Sequence, residues 1–530
     1  MKALRARAYL QSLFGKQAAG MSDTFELFDE PALDFKDGQR AEDPRDGLAL
    51  FGALGSSGPE NSTIPPHVVI GTAKGILLWR QWTDALNSPA ACKDPARHRP
   101  WPPFTGYEVA FGGSWPQPHR TYALDAGDLD LAARRTNRFE RAYSVAGMYL
   151  ASIEAIKKLD APPAVVVCVV PDLIYDNCRP TSYVAAPSDR APEPALVKAA
   201  RAQIREGQSS FFGQEGFTDT VLTAPEQFDL SPDFRRQLKA RMMTHGIPVQ
   251  ILREDTLRIT PQVRDGLRGT NPLSDRLWNL GTALYYKSGR KPWKLSAARD
   301  GVCYVGLAYR RSDDGRTACC AAQMFLDSGD GIVFLGGFGP WYSEERKEYH
   351  LTPRAAEELL RGTIATYREQ DGRPLKEIFL HSRSGIDREE FDGFQRACPP
   401  GCTLIGVRVR QDRGGARLFR NGTRPVLRGT FWHRTPRYGL LFSNGFKPRI
   451  GTYDGFEIPV PLEITVQHGS ADLSCVARDI LGLTKLNFNA CQPGEGLPIT
   501  IKFSDAIGEI LLANPALPRN TYRHNFKFYI

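Results

Sequence analysis

Four polar residues near the middle of the sequence have the types and the spacing of a phosphate-binding site. Arg235 and Lys239 are four residues apart, so a helix would place both cations on one face. Gln250 lies at the mouth of the apolar strand that follows, and Lys287 ends a helical pattern over residues 275–287. A terminal phosphate carries more charge than an internal diester and accepts several charge-assisted hydrogen bonds. Three cations and one amide that converge therefore predict a site for a terminal phosphate, whereas a lone pair of cations would indicate only an exposed helix face.

An α/β layer is predicted to carry these residues. Residues 67–70 are rich in β-branched side chains, and residues 164–170 are short, continuously apolar and β-branched, as a buried strand is. An amphipathic helix follows the first strand through Leu86, and residues 134–159 have helical periodicity. Strands that alternate with helices predict a mostly parallel sheet, which collects ligands at the carboxyl ends of its strands. The turn at Gln250 lies at such a place.

The second half of the sequence predicts another α/β unit. Its predicted elements, in chain order, are the strands 301–309, 321–326 and 332–335, the helix 353–370, the strand 377–381 and the helix 387–397. Three antiparallel strands followed by helix, strand and helix is the order of an RNase H-like core.

A basic segment over residues 408–449 contains most of the excess positive charge. It has ten Arg and one Lys against the single acid Asp412, so it carries +10 in a protein whose net charge is +9. Six aromatic residues are interleaved with these cations: Phe419, Phe431, Trp432, Tyr438, Phe442 and Phe446. Such a segment fits a phosphate-lined channel better than a solvated face, which usually mixes charge signs. The arginines predicted to line this channel are Arg408, Arg410, Arg413, Arg417, Arg420, Arg434 and Arg437.

Composition and motifs exclude several classes of protein. A length of 530 residues, with 42% hydrophobic and 24% charged residues, is typical of a globular protein with two or more domains. No run of about 18 apolar residues predicts a membrane span. The phosphate-loop, dinucleotide, serine-hydrolase and HExxH motifs are absent from the sequence. The ten cysteines lack the spacing of a disulfide framework, so we expect reduced thiols and a cytoplasmic location. Residues 1–20 lack a secretory signal, and either Met1 or Met21 is the true start.

The phosphate-site residues and two late motifs resemble one family. The series Arg235, Lys239, Gln250 and Lys287 closely resembles the guide 5′-phosphate pocket in the MID domain of Argonaute proteins. LTKLNFN at residues 483–489 and LPITIKFSDAIGEILL at residues 497–512 resemble the closing part of a PIWI domain. The resemblance implies a short prokaryotic Argonaute, built of MID and PIWI domains alone. The domains it implies are a lead-in over residues 1–60, a Rossmann-like MID domain over residues 61–297 with an insertion at about 179–231, and an RNase H-like PIWI domain over residues 298–530.

The resemblance also implies a PIWI domain that does not cut nucleic acid. In RNase H-like nucleases, carboxylates hold two divalent metals that clamp the attacking and leaving oxygens. Ala308 stands where the first carboxylate is expected, and a methyl group binds no metal. Arg383 stands at the third position, where its charge would repel a metal. Asp505 matches the fourth position, although it could equally be an exposed helix-cap residue, and Glu344 or Glu345 could stand for the remaining acid.

A bound cation, nucleic acids and a protein partner are implied as well. Gln250 and the terminal carboxylate of Ile530 would hold a Mg²⁺ against the guide phosphate, since oxygen ligands suit this hard cation. The guide would be RNA, or alternatively DNA, and the target a complementary DNA. Short Argonautes of this kind pair with an APAZ-containing effector protein that has a TIR, sirtuin-like or nuclease domain. Target binding would activate that effector in prokaryotic immunity, and no membrane partner is implied.

Two other functions stay open on the sequence alone. The chain would be an active guided endonuclease if its metal ligands lie elsewhere. It would be a guide-independent DNA-binding structural protein if it binds 5′-phosphorylated and 5′-hydroxyl strands equally. The sequence also leaves open the identity of the effector domain, the preferred first base of the guide and the role of the insertion.

Overall fold

The computed structural model describes the chain in segments. The described residues are 24–56, 64–92, 101–180, 182, 231–260, 271–311, 318–326, 331–338, 341–343, 345–346, 348–370, 373–412, 414–451, 453, 458–514 and 525–530. The insertion predicted at about 179–231 therefore lies almost wholly outside the described residues, as do both candidate start methionines and Arg413.

The strands of these segments, in chain order, are β1 Thr24–Leu27, β2 Leu33–Asp34, β3 Arg40–Ala41, β4 His67–Thr72, β5 Arg120–Leu124, β6 Val165–Val170, β7 Val249–Arg253, β8 Lys294–Leu295, β9 Val302–Arg311, β10 Ala318–Leu326, β11 Gly331–Phe338, β12 Trp341–Ser343, β13 Glu348–His350, β14 Glu377–Ser382, β15 Thr403–Gln411, β16 Thr430–Thr435, β17 Tyr438–Leu441 and β18 Leu462–His468.

The helices are α1 Pro44–Phe51, α2 Ala73–Leu86, α3 Tyr107–Phe111, α4 Ala126–Ala133, α5 Arg138–Leu150, α6 Ile153–Lys157, α7 Asp172–Asn177, α8 Phe234–Met243, α9 Glu254–Leu257, α10 Leu273–Lys287, α11 Pro353–Gln370, α12 Arg388–Ala397, α13 Leu473–Leu483, α14 Ile499–Lys502 and α15 Ser504–Leu511. Short 3₁₀ turns span Lys36–Gly38, Leu54–Ser56 and Phe526–Phe528.

A parallel sheet of four strands, in the order β5-β4-β6-β7, forms the centre of the first half. Its central strands β4 and β6 are buried along their whole length, as their continuous apolar runs predict. Helix α2 begins directly after β4 because the Thr72 hydroxyl accepts a hydrogen bond from the Gly75 amide at 3.0 Å. The predicted alternation of strand and helix in a parallel sheet is confirmed.

A sheet of nine strands forms the centre of the second half, in the order β1-β16-β17-β18-β15-β14-β9-β10-β11. Strands β9, β10 and β11 are antiparallel neighbours, and β14 is parallel to both β9 and β15. Helices α11 and α12 cover one face, where Leu359, Leu360 and Phe394 pack in one core with Val305 and Ile378. The predicted order of strands and helices is confirmed, and so is the α/β class.

The lead-in contributes strands that the sequence did not predict. β1 forms one edge of the nine-stranded sheet, where Phe25 lies opposite Trp432 and the two rings stack at 5.4 Å. β2 pairs with β8, just before the second unit begins. These pairings join residues far apart in the sequence, so local periodicity gives no sign of them. The proposed domain bounds at residues 60 and 297 stay a prediction.

The helical pattern over residues 134–159 is divided in the structure. It begins at Arg138 in α5 and continues in α6 after a break at Ala151 and Ser152. At Ser152 ψ is −7°, which interrupts the regular α-helical turn. In the described part of the chain, no helix combines the length and apolar character needed to cross a membrane.

Candidate phosphate-binding site and nucleic-acid interface

Two lysines are buried where the first unit meets the end of the chain. Helix α8 starts at Phe234 because the Asp233 carboxylate accepts the Arg235 amide at 2.8 Å, and the next turn places Lys239 on its buried face. The Lys239 ammonium donates to the carbonyl of Tyr529 at 2.9 Å. Lys287 ends α10 with 1% of its surface exposed. Both predicted lysines therefore lie inside the protein rather than on a solvated helix face.

The pKa values of the two lysines indicate that Arg235, Lys239 and Lys287 lie close together and that the acids around them do not balance their charge. Burial lowers the pKa of Lys239 well below its ordinary value, and the charges of Lys287 and Arg235 lower it further, against the opposing effect of Asp233. Burial and then the Arg235 charge lower the pKa of Lys287 to about 7. Lys287 donates to the Val249 carbonyl at 3.0 Å, which does not neutralise it. A dianionic group beside these residues would favour their charged forms.

Arg235 and Gln250 line a cavity of about 360 Å³, whose described lining does not include Lys239 or Lys287. Lys287 contacts the carbonyl of Val249, the residue before Gln250. The Arg235 side chain is exposed, and within the described segments its guanidinium has no ion pair. Gln250 is 9% exposed. Its amide donates weakly to the Ile251 carbonyl at 3.4 Å, and its buried Oε1 accepts no hydrogen bond from any residue that the structure describes. A buried polar atom without a partner costs free energy, so Gln250 Oε1 is placed for a ligand.

Sequence reasoning missed several residues of this cavity. The guanidinium groups of Arg253 and Arg179 lie over the Tyr175 ring at 3.9 Å and 4.6 Å from its centroid. Asp275 and Asn279 project from α10, the helix that ends in Lys287. Arg253 ends the strand that contains Gln250, and that position could have indicated it. Arg179 and Tyr175 follow β6, and only the adjacent ends of β6 and β7 bring them to the site.

The residues at Gln250 fit a Mg²⁺ only in the company of a phosphate. Gln250 Oε1 is a hard oxygen ligand, and Ile530 is buried with 3% of its surface exposed, next to the Tyr529 carbonyl that Lys239 contacts. However, three cations surround the position. Over the described ranges, no group of three or more His, Cys, Asp or Glu is arranged to hold a metal ion. A divalent cation would need the negative charge of the phosphate and of the terminal carboxylate.

Comparisons with known proteins bear on the fold of the chain. No family model matches the sequence. The argonaute protein of Aquifex aeolicus is 23% identical over 281 residues, which are 52% of this chain and 35% of that protein. The structure of Clostridium butyricum Argonaute matches 96% of this chain and 55% of its own, at a TM-score of 0.59 and 13% identity. Drosophila Piwi matches 96% of this chain and 56% of its own, at a TM-score of 0.57 and 13% identity.

The chain has the fold of the Argonaute proteins. The sequence relative supports the same family. This chain spans just over half the length of the two solved structures and about a third of the curated relative. The four-stranded sheet is hereafter the MID sheet, and the nine-stranded sheet is the PIWI sheet.

The PIWI sheet brings two of the predicted catalytic positions to one place. In the parallel pair β9 and β14, Gly306 lies opposite His381. Two residues later, Ala308 lies within β9, and Arg383 directly follows the last residue of β14. Arg383 donates to the Ile501 carbonyl at 3.0 Å. Asp505 belongs to α15, and its side chain lies outside the described part of the structure, as does that of Ala308.

Ion pairs with distant parts of the chain involve four arginines of the basic segment. Arg408 pairs with Glu348, Arg410 with Glu463 at 2.5 Å, Arg428 with Glu30 at 2.9 Å, and Arg449 with Asp46 at 3.3 Å. Arg437 donates to the Val466 carbonyl at 2.8 Å. The segment's charge of +10 is thus partly balanced by acids that the local count did not include. The role of these arginines in a channel stays a prediction.

Three further arginines predicted to line the channel lie over an aromatic ring or are exposed to solvent. Arg434 lies over the Trp432 ring at 4.3 Å. Arg417 and Arg420 are exposed, and no ion pair is found for either in the described ranges. The side chains most able to meet a phosphate backbone are therefore those that follow β15.

Proposed function

We propose that this chain binds a nucleic-acid guide by its 5′ phosphate in the cavity beside the MID sheet. The observation that carries the proposal is the group of three close cations next to an unpartnered Gln250 oxygen. Burial holds both lysine pKa values down, so the free protein is poised to gain from an incoming dianion. A terminal phosphate supplies two charges, whereas an internal diester supplies one.

Relatives support a guide that recognises a second strand. Clostridium butyricum Argonaute has been solved with a guide DNA and a 19-mer target DNA, and Aquifex aeolicus Argonaute with an externally bound siRNA. For this chain we propose a guide RNA, or alternatively a guide DNA, and a complementary DNA target read by base pairing. The protein would contact mainly the phosphate backbone of the duplex, through the exposed arginines after β15, and not the base edges.

A Mg²⁺ held by Gln250 and the carboxylate of Ile530 is part of this proposal. Such a cation would add positive charge against the guide phosphate. The chain's own residues would bind the phosphate without it: Arg235 lines the cavity, and Lys239 and Lys287 are buried close to Arg235. Gln250 supplies the oxygen that a cation, but not a phosphate oxygen, would contact.

The PIWI unit is proposed to bind target without cutting it. A two-metal nuclease site needs several carboxylates to hold its metals. By the family resemblance, Ala308 within β9 and Arg383 after β14 stand at two of these positions, and neither is a carboxylate. We further propose, on family resemblance alone, a short Argonaute that forms a heterodimer with an APAZ-containing effector bearing a TIR, sirtuin-like or nuclease domain. Target binding would activate that effector in antiviral defence in the cytoplasm.

The test compares strands that differ only in the 5′ group. Equilibrium binding is measured for the same short strand with a 5′ phosphate and with a 5′ hydroxyl, to the wild type and to Lys287→Ala and Gln250→Ala. Each charged hydrogen bond to the phosphate is worth about 1.5–3 kcal/mol. Lys287→Ala should therefore lower the affinity for the phosphorylated strand about 10- to 150-fold. Its binding of the hydroxyl strand should change little.

Lys158→Ala is the matched control, because Lys158 is an exposed lysine of the same unit with no part in the cavity. It should leave both affinities unchanged. Equal wild-type affinity for the two strands would reject guide anchoring in favour of guide-independent DNA binding.

A further inference from the structure

One aromatic side chain of the basic segment stands in solvent. Phe431 and Phe442 are fully buried, and Trp432, Tyr438 and Phe446 are partly buried. Phe419 is 75% exposed. Large apolar side chains gain about 1.5–3 kcal/mol by leaving water, so a phenylalanine held out in solvent has a cost that a ligand can remove.

The loop that carries Phe419, residues 414–424, is fixed at its start. The Asp412 carboxylate accepts the amides of Gly414 at 2.8 Å and Ala416 at 2.7 Å. Gly415 and Gly422 make the bends with φ of 78° and 102°, a region of backbone that favours glycine. The backbone of this loop is therefore shaped by its own sequence.

The returning half of the 414–424 loop is anchored as well. Arg420 Nε donates to the Arg424 carbonyl at 3.3 Å. The guanidinium groups of Arg420 and Arg424 lie over the Phe446 ring at 5.1 Å and 5.3 Å. Cation–π contacts of this kind fix both side chains against the PIWI unit. Phe419 is thus presented between two held ends.

The arginines nearest Phe419 in the sequence have no acidic partner among the described residues. Arg417, Arg420 and Arg424 are exposed, and no carboxylate pairs with any of them in the described part of the chain. Asp412, the acid that precedes this loop, is 9% exposed and uses its oxygens on the loop backbone. A ligand that covers Phe419 must therefore bring an apolar face together with negative charge. A nucleobase on its phosphate backbone has both.

We propose that Phe419 is a stacking residue for a base of the bound nucleic acid, with Arg417 and Arg420 on the adjacent phosphates. This inference rests on the proposed function, since it names a second contact of the same strand. It concerns the PIWI side of the molecule and is independent of the 5′-phosphate contacts.

Three substitutions at Phe419 test the proposal, since an exposed side chain can be changed without loss of fold. Strand affinity is measured by fluorescence anisotropy at one fixed salt concentration. Stacking on an aromatic side chain is worth about 1–3 kcal/mol per base, so Phe419→Ala should weaken binding about 5- to 150-fold. Phe419→Leu should show a similar loss, because leucine is apolar but cannot stack. Phe419→Trp should retain the wild-type affinity.

The salt dependence separates stacking from charge. A phosphate contact contributes about one unit to the slope of log K against log salt, and a stacked base contributes almost none. We expect Phe419→Ala to keep the wild-type slope, while Arg417→Gln and Arg420→Gln each reduce it. Thermal unfolding of each variant should match that of the wild type.

Two results would overturn the proposal. Wild-type affinity in Phe419→Ala, or in Phe419→Leu, would show that no base stacks there. Unchanged strand affinity together with lost binding of a partner protein would assign Phe419 to a protein interface. Failure of the proposed function is distinguishable, because it would abolish the preference for a 5′ phosphate while Phe419→Ala still weakened binding.

Discussion

Lys287 shows how much of this site depends on the environment of single residues. A lysine with an ordinary pKa of 10.5 carries its charge throughout the neutral range, but burial and Arg235 bring the pKa of Lys287 to about 7. Helical periodicity in the sequence predicted that Lys287 ends α10. It could not predict the burial of Lys239, because Lys239 contacts Tyr529, which lies 290 residues later in the chain.

Lys287→Met should make the stability of the free protein less dependent on pH. The folded pKa of Lys287 lies below its unfolded value, so the unfolded chain binds more protons between about pH 7 and 10.5. The wild type should therefore gain stability as the pH rises through this window. Thermal unfolding of both proteins without nucleic acid measures the effect. Parallel pH curves for the two proteins would refute the assignment.

Binding of a 5′-phosphorylated strand should be accompanied by proton uptake near pH 8. The phosphate favours the charged forms of Lys239 and Lys287, whose pKa values burial has lowered. Calorimetry in two buffers with different ionisation enthalpies measures the number of protons. Binding of the 5′-hydroxyl strand should be accompanied by the uptake of fewer protons. Lys287→Met should reduce the proton uptake that accompanies binding of the phosphorylated strand. Equal uptake for both strands would mean that the phosphate lies elsewhere.

Elements carry the local part of the prediction. Helix α11 covers the predicted residues 353–370, because its apolar periodicity is strong and its limits lie in its own sequence. Strand β1 was missed because its partner β16 lies in another part of the chain. The pairing of Arg408 with Glu348 was missed for the same reason. Local patterns gave the elements and their order, while long-range pairs decided which charges remain free.

Helix α8 should depend on the side chain of Asp233 as its N-cap. Asp233 accepts the amides of Arg235 and Arg236, so Asp233→Ala should cost about 0.5–2 kcal/mol of unfolding free energy. Asp233→Asn is the control, because asparagine caps a helix as well as aspartate does. Urea unfolding measures both variants. Equal losses would show that the charge of Asp233, which also lies 3.6 Å from Arg179, matters more than the cap.

In the whole molecule, the two proposed functions, guide binding and target binding, are assigned to different sheets. Beside the MID sheet lies the proposed 5′-phosphate cavity, which residues of β7 line, and the end of the chain contacts Lys239 through the Tyr529 carbonyl. In the PIWI sheet, Ala308 lies within β9 and Arg383 follows the neighbouring strand β14, and the 414–424 loop follows β15. A guide bound by its 5′ phosphate beside the MID sheet would thus pair with its target beside the PIWI sheet.

The intact protein should bind target without cutting it. With a 5′-phosphorylated guide, a labelled complementary DNA and Mg²⁺ or Mn²⁺, the target should keep its full length on a denaturing gel. The reason is the lack of carboxylates at the positions of Ala308 and Arg383. An active guided nuclease serves as the positive control for the strands and metals. A product of one defined length that requires the guide would reverse this part of the account.

The 5′ ends of nucleic acid that copurifies with the protein show whether this chain anchors a 5′ phosphate. Strands extracted from the purified protein are labelled by polynucleotide kinase with and without prior phosphatase treatment. We predict short strands that accept label only after phosphatase, and far fewer of them from a Lys239→Ala, Lys287→Ala double variant. Strands of mixed length that accept label without phosphatase, in equal amounts from both proteins, would contradict the account.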